Sequence, residues 1–251
     1  MQWPYVLGLG YSIVLAFVYL IGQLSSEFIL VFSNIIFVAT GGFAVLVSFW
    51  IMTRYAKHNP KPMFSMAWVS FSSGLFMWFI GEVFWAIYVL FLQVDPFPSF
   101  ADVLYLGGYF PMFLMGFLVL KLFGPAFSKK MLTLQLGISI AVSAVVSYAL
   151  VVPIAQSSED VATTALAAAY PILDIGLFAL TLTLLLVFFK GSIGKAWFLI
   201  TLGFILNIIA DLAFTYAELQ GFFYEGHPLE LFWLWGYVAF MLGMYIHRRE
   251  L

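Results

Sequence analysis

Seven short breaks divide this chain into eight apolar stretches, and nothing else in the sequence constrains its fold as strongly. A helix needs about 20 mostly apolar residues to cross a bilayer. Stretches of that kind fall at roughly 4–23, 28–54, 63–93, 100–123, 131–153, 163–189, 196–217 and 230–246. The gaps at 23–27, 54–62, 94–99, 124–130, 154–162, 190–195 and 218–229 collect the charge, Pro, Gly and Ser residues that end helices. Of the 251 residues, 64% are hydrophobic and 9% charged, against about 25% charged in a soluble domain. That is too little polar surface to coat a water-soluble globule. The expected fold class is an all-α polytopic membrane protein with eight transmembrane helices in a single membrane domain.

The charges give an orientation. Arg54, Lys57 and Lys61, then Lys121, Lys129 and Lys130, then Lys190 and Lys195, and finally Arg248 and Arg249 all fall on one side of an eight-span path. The positive-inside rule makes that side cytoplasmic, with both termini on it, in a multi-pass protein of the cell membrane. Eight of the twelve acids fall at or near the other face, and Glu250 is cytoplasmic. The start of the chain has no positive segment, so no cleavable signal peptide is expected.

A duplication is written into the acids. Glu82 and Trp85, then Asp102, Tyr105 and the run 106–109, are answered by Asp211 and Phe214, then Glu230, Trp233 and the run 234–237. The offset is 129 at Glu82/Asp211 and 128 at Asp102/Glu230 and Tyr109/Tyr237. The run 9–12 answers 136–139 at 127, and Ser26-Glu27 answers Ser158-Glu159 at 132. The pattern predicts a four-helix unit used twice in the same orientation, about 4–123 and about 131–246. Sites in membrane proteins built from such repeats lie at the repeat interface.

Three acids, Glu82, Asp174 and Asp211, fall inside spans. An ionisable group in lipid costs at least a few kcal/mol, so it faces the bundle interior or a cavity. Helical spacing gives each one company. Trp78, Glu82 and Trp85 share a face, as do Asp102, Tyr105 and Tyr109, and Glu230, Trp233 and Tyr237. Asn207 and Asp211 line one stripe, and Tyr170 stands one turn from Asp174. Convergence of these faces predicts an outward-opening acidic and aromatic pocket, with His227 its only nearby basic group. Its expected ligand-binding residues are Glu82, Asp102, Asp174, Asp211, Glu230, Trp85, Tyr105, Tyr109, Tyr170, Trp233, Asn207 and His227. Unpaired carboxylates there can keep a proton, accept from Tyr, Trp and Asn, or bind a cation that the aromatic faces also attract. The first two also describe a polar network that merely joins helices. Pro111 and Pro171, each just after a Tyr, read either as tolerated kinks or as broken backbone lining the site.

Other chemistry is excluded or unsupported. With no cysteine, there are no disulfides, thiolate metal sites or cysteine nucleophiles. His58, His227 and His247 cannot pair across a haem at mid-membrane. No Lys lies inside a span, so a retinal Schiff base is excluded. No zinc-hydrolase, nucleophile-elbow or phosphate-loop motif occurs. No cofactor is predicted. A divalent cation on Glu82, Asp102, Asp211, Glu230 and His227 stays open, because carboxylate sets suit Ca, Mg or Mn and an added His admits Zn. With a net charge of −2 and no basic tail, nucleic acid is not an expected partner.

At the same residues the chain resembles a known bacterial pattern. Pro96-Phe97-Pro98-Ser99, Ala101-Asp102, Tyr105-Leu106 and Gly108-Tyr109 look like the PSxADxxYLxGY stretch of multi-span sensory modules that precede some diguanylate cyclases and histidine kinases. Tyr170-Pro171-Ile172-Leu173-Asp174 is similar to the YPxLD element of that module. Ala210-Asp211 with Tyr216, and Trp233 through Tyr237, resemble its final hairpin. The resemblance covers roughly residues 75–245 and implies signal input from the membrane. In those proteins an effector domain follows, whereas here only a few residues follow the last span. A separate cytoplasmic effector is therefore an expected partner, beside the bilayer itself and a small-molecule or ion ligand.

The leading expectation is a sensor or receptor-like module that binds a small cationic or amphiphilic ligand, or protons. The alternatives are a proton- or cation-coupled transporter and an intramembrane acid–base hydrolase of a lipid-like substrate. No catalytic motif favours an enzyme.

Overall fold

A computed structural model describes residues 3–58, 62–123, 128–188 and 194–250. The breaks around 59–61, 124–127 and 189–193 lie outside the described residues, as do the side chains of Arg54, Lys57, Lys61 and Lys190. The chain forms eight helices long and apolar enough to cross a membrane. They are α1 (Trp3–Gly22), α2 (Ser26–His58), α3 (Pro62–Ala86), α4 (Phe100–Phe123), α5 (Lys129–Val146), α6 (Val161–Phe188), α7 (Gly194–Leu219) and α8 (Leu231–Glu250). Each lies within a few residues of its expected span. The differences are local. α3 runs on as a π-helical segment at Ile87–Leu92, α5 does so at Ser147–Val151, and a 3₁₀ turn at Pro228–Glu230 leads into α8. α4 and α6 continue through Pro111 and Pro171, so neither proline breaks the backbone.

Exposure follows what a bilayer requires. Leu7, Leu20, Phe110 and Tyr148 are 69%, 71%, 76% and 82% exposed, values that would be costly in water over so large an area and are ordinary against lipid. Inside, one apolar core links Trp68, Phe71, Met112, Trp197, Phe204 and Phe240.

The two halves make equivalent contacts. In the first, α3 packs on α4 where a Cβ at Gly74 would strike Met112 and one at Gly108 would strike Trp78. In the second, α7 packs on α8 where a Cβ at Gly203 would strike Phe240 and one at Gly236 would strike Asn207. These positions correspond at 128 or 129 residues. Trp68 and Trp197, related by 129, meet each other with ring centroids 5.7 Å apart. α2 packs on α8 and α6 on α4, a reciprocal pairing of the halves. The first helices depart from this, because α1 packs on α8 whereas α5 packs on α6.

The turns at 23–25, 93–99, 156–160 and 220–230 define one end of the bundle, here called the acidic end. α6 starts there with Asp160, whose carboxylate accepts from the Ala162 and Thr163 amides and the Thr163 hydroxyl. Those bonds hold its carboxyl below the usual range. The cap is complete above the ordinary carboxylate range and is lost as pH falls through the depressed value. Protection of the amides at residues 161–164, relative to the unstructured chain at the same pH, is therefore expected to fall on acidification, with Asp160→Ala showing that low protection at every pH.

Candidate functional site

Near the acidic end, six carboxylates, Glu82, Asp102, Asp174, Asp211, Glu225 and Glu230, meet aromatic or amide donors. The centre is reciprocal. Glu82 on α3 accepts from Tyr105 of its own hairpin, Oε2 at 3.1 Å, and from Tyr237 of the other half, Oε1 at 3.4 Å. Asp211 on α7 accepts from the Trp233 indole of its own hairpin, Oδ1 at 2.8 Å, and lies 3.3 Å from the Tyr109 hydroxyl of the other half. Glu82 and Asp211 occupy equivalent positions, and so do Tyr109 and Tyr237. Each half thus lends one tyrosine to the acid of the other. Both acids are half-buried, as are Trp85, Tyr105 and Trp233.

Asp174 lies beside it, wholly buried on α6. Tyr109 donates to its Oδ1 at 2.6 Å, and its Oδ2 has no partner. The sequence places Tyr109, Asp174 and Asp211 on three different helices, and the structure joins them through one hydroxyl.

The remaining acids build the rim. Asp102 in the first turn of α4 accepts from the Ser99 amide at 2.7 Å and the Tyr170 hydroxyl at 2.6 Å. Glu230, in the turn before α8, accepts from the Gly226 amide at 2.6 Å and the Tyr19 hydroxyl at 2.7 Å. An acid at a helix N-terminus is favoured by the free amides there. Both are nearly fully buried, and both tie a loop and a distant helix to the bundle. Glu225, in the loop between α7 and α8, accepts from Trp85 on α3 at 3.0 Å and Asn34 on α2 at 3.1 Å. Burial pushes its carboxyl above the usual range, against the opposing effect of those two donors. The same loop is held by Gln23, which donates to the Gly226 carbonyl and accepts from Tyr224.

Two expected ligands fall outside the centre. The Asn207 amide donates to the Gly203 carbonyl at 2.8 Å and fills the close approach of α7 to Gly236, as Trp78 does against Gly108. Asn207 is the structural counterpart of Trp78. His227 accepts from the Leu229 amide through Nδ1 and packs among Phe222, Phe223 and Tyr224, with its basicity lowered by desolvation. It pairs with no acid of the centre in these contacts. Nor, among the described residues, do three His, Asp or Glu groups gather as a metal would need. The carboxylates are instead shared out among phenol, indole and amide donors.

The expected ligand set left out Tyr237, although it shares the face of Glu230 and Trp233, and also Glu225, Tyr19 and Asn34. Tyr237 was legible as the counterpart of Tyr109. The other three are brought in from loop and distant helices, where no spacing signals the contact.

The fold and the site define an all-α, polytopic, membrane-type protein whose equivalent hairpins share an acidic and aromatic centre. No family model matches the chain, and no curated protein or solved structure does so either.

Proposed function

We propose that this chain is a membrane-embedded sensory or receptor-like module that receives a small cationic or amphiphilic ligand at Glu82 and Asp211, walled by Trp85, Tyr105 and Trp233. The observation that carries this reading is the exchange of Tyr109 and Tyr237 between the two halves. Two half-buried carboxylates beside aromatic faces attract a cation. The lysines and arginines of these helices for which side chains are described, Lys121, Lys195, Arg248 and Arg249, stand at the opposite ends of their helices. The bonds that Glu82 and Asp211 accept from the other half are 3.3 and 3.4 Å, at the weak end of hydrogen bonding, whereas Tyr109–Asp174, Tyr170–Asp102 and Tyr19–Glu230, at 2.6–2.7 Å, keep the halves joined around them. An arriving cation gives each acid a better partner, so the two longer bonds yield first. The hairpins then reorient as units, a rigid-body response set by the ligand's differential affinity for the two arrangements. The buried Trp68–Trp197 contact between the halves would carry the change toward the far end, where an effector protein would meet the helix ends. The likeness of the 96–109 and 170–174 motifs to bacterial sensory modules supports an input role.

The test is titration of protein in nanodiscs with tetramethylammonium and with a long-chain alkyltrimethylammonium, followed by tryptophan fluorescence. Saturable binding is expected, weakened about tenfold or more, or about 1.4 kcal/mol, by Glu82→Gln or Asp211→Asn. Asp160→Asn, at an exposed cap, is expected to bind like the parent. Binding that survives both charge removals, or that is absent for both probes, contradicts the proposal.

A further inference from the structure

We infer that Asp174, Tyr109 and Asp211 form a proton site, and that one proton beyond the phenol's own resides in this chain of three groups. The inference rests on the reading of the centre as a switch between halves, and it names a second ligand for that switch. Tyr109 has a single hydroxyl hydrogen. It lies 2.6 Å from Asp174 Oδ1 and 3.3 Å from Asp211 Oδ2. One hydrogen cannot serve both contacts, and two carboxylates facing one phenol oxygen leave one contact unsatisfied. A single added proton completes the chain.

The second observation is independent of those bonds. Asp174 is 0% exposed and its Oδ2 has no partner. As an anion it would leave charge on a buried oxygen with no hydrogen-bond partner among the described residues, at a cost far above that of a neutral carboxyl. A metal ion takes several oxygen ligands at once, and no set of three acids or histidines gathers among the described residues. A proton needs one oxygen and no added volume.

Every titratable group facing Asp174 is acidic or phenolic. Tyr109 faces it from α4 and Asp211 from α7, and Tyr170 stands one turn away on α6 and is committed to Asp102. Beyond Asp211 lie Glu82 on α3 and Tyr237 on α8. The nearest described basic residues along α4 and α7, Lys121 and Lys195, are 12 positions from Tyr109 and 16 from Asp211, or about 18–24 Å at helical rise.

The chain has two proton arrangements. In one, the Asp174 carboxyl donates to the Tyr109 oxygen and Tyr109 donates to Asp211. In the other, Asp174 has passed its proton to the Tyr109 oxygen while Tyr109 has released its own hydrogen to Asp211. One O–H bond breaks and one forms at each step, and the phenol ends neutral with its hydroxyl reversed. The first arrangement leaves Asp174 neutral and Asp211 charged, which is the state a cation at Asp211 favours. Cation binding and proton retention on Asp174 therefore support each other across the interface.

The test is infrared spectroscopy of ligand-free protein in nanodiscs near neutral pH, in light and heavy water. A protonated-carboxyl band that shifts on deuteration is expected in the parent. It is expected to disappear in Asp174→Asn, to move in Tyr109→Phe, which keeps the ring and removes only the hydroxyl, and to persist in Glu82→Gln. Parent spectra that Asp174→Asn and Tyr109→Phe both leave unchanged overturn the inference. The alkylammonium titration fails or succeeds separately, because Glu82→Gln weakens that binding while keeping the band.

Discussion

Replacing Gly243 with Leu is expected to destabilise the protein by about 3 kcal/mol, the upper range for overpacking a tight contact. A Cβ at Gly243 would lie 2.8 Å from the Ala196 carbonyl oxygen and 3.1 Å from the Ile200 amide. Both are backbone, so no side chain can swing aside, and α7 and α8 must separate. Gly203 and Gly236 line the same seam, each facing the carbonyl of the other. Small residues at such seams let helices approach closely where burial from water no longer drives association. Thermal unfolding in detergent, followed by tryptophan fluorescence, is expected to fall by roughly 5–10 °C. Gly137→Leu is the control. Nothing lies within 4 Å of its Cβ, and its stability is expected to stay within about 0.5 kcal/mol. Equal effects of the two substitutions would contradict the close packing of α7 on α8. Separation of that hairpin also pulls Trp233 from Asp211, so Gly243→Leu is expected to lose ligand binding with its stability.

The second large effect is at Glu230. Its carboxylate is the acceptor for two buried donors, the Tyr19 hydroxyl and the Gly226 amide. Removing it strands both, at about 1–3 kcal/mol for each buried unsatisfied group. Glu230→Ala is therefore expected to cost about 3 kcal/mol. Glu230→Gln keeps one acceptor oxygen, and the Tyr19 hydroxyl can turn to accept from the new amide, so its cost is expected to be less than half as large. Chemical denaturation of both variants measures the difference. Equal losses would mean that side-chain volume, and not the pair of bonds, anchors α1 and the 220–230 loop to α8.

The spans were legible because membrane thickness sets their length and few charges interrupt them. All eight appear within a few residues of their expected bounds. The expectation of a repeat rests on Glu82 and Asp211 because apolar composition alone does not align acids at a fixed offset, and the packing at Gly74, Gly108, Gly203 and Gly236 is equivalent at that offset. Its consequence, the exchange of Tyr109 and Tyr237, was not legible. Helical spacing reports which residues share a face, but not which helix that face meets. The same limit separates Asp102 and Glu230 from the centre. They line up on the helical stripes of Tyr105 and Trp233, yet the first turns of α4 and α8 draw them to backbone amides. The spacing of Ser99 and Asp102 carried that signal, as the reciprocal half of an N-terminal capping pattern. Asn207 misled for a different reason. It shares a stripe with Asp211, but its place in the duplication matches Trp78, a packing residue. The π segments at Ile87–Leu92 and Ser147–Val151 had no sequence mark, because apolar runs hide a change of hydrogen-bond register.

The central claim is that the carboxylates between the two halves are a binding centre and not only a polar joint. It is tested most directly by a high-resolution density map of protein in nanodiscs at this centre, with native mass spectrometry on the same sample. The account predicts non-protein density in contact with Glu82, Asp211 and the rings of Tyr105 and Trp233, together with a matching bound mass. A closed centre, with every carboxylate bonded only to Tyr, Trp and Asn and no added mass, would contradict it.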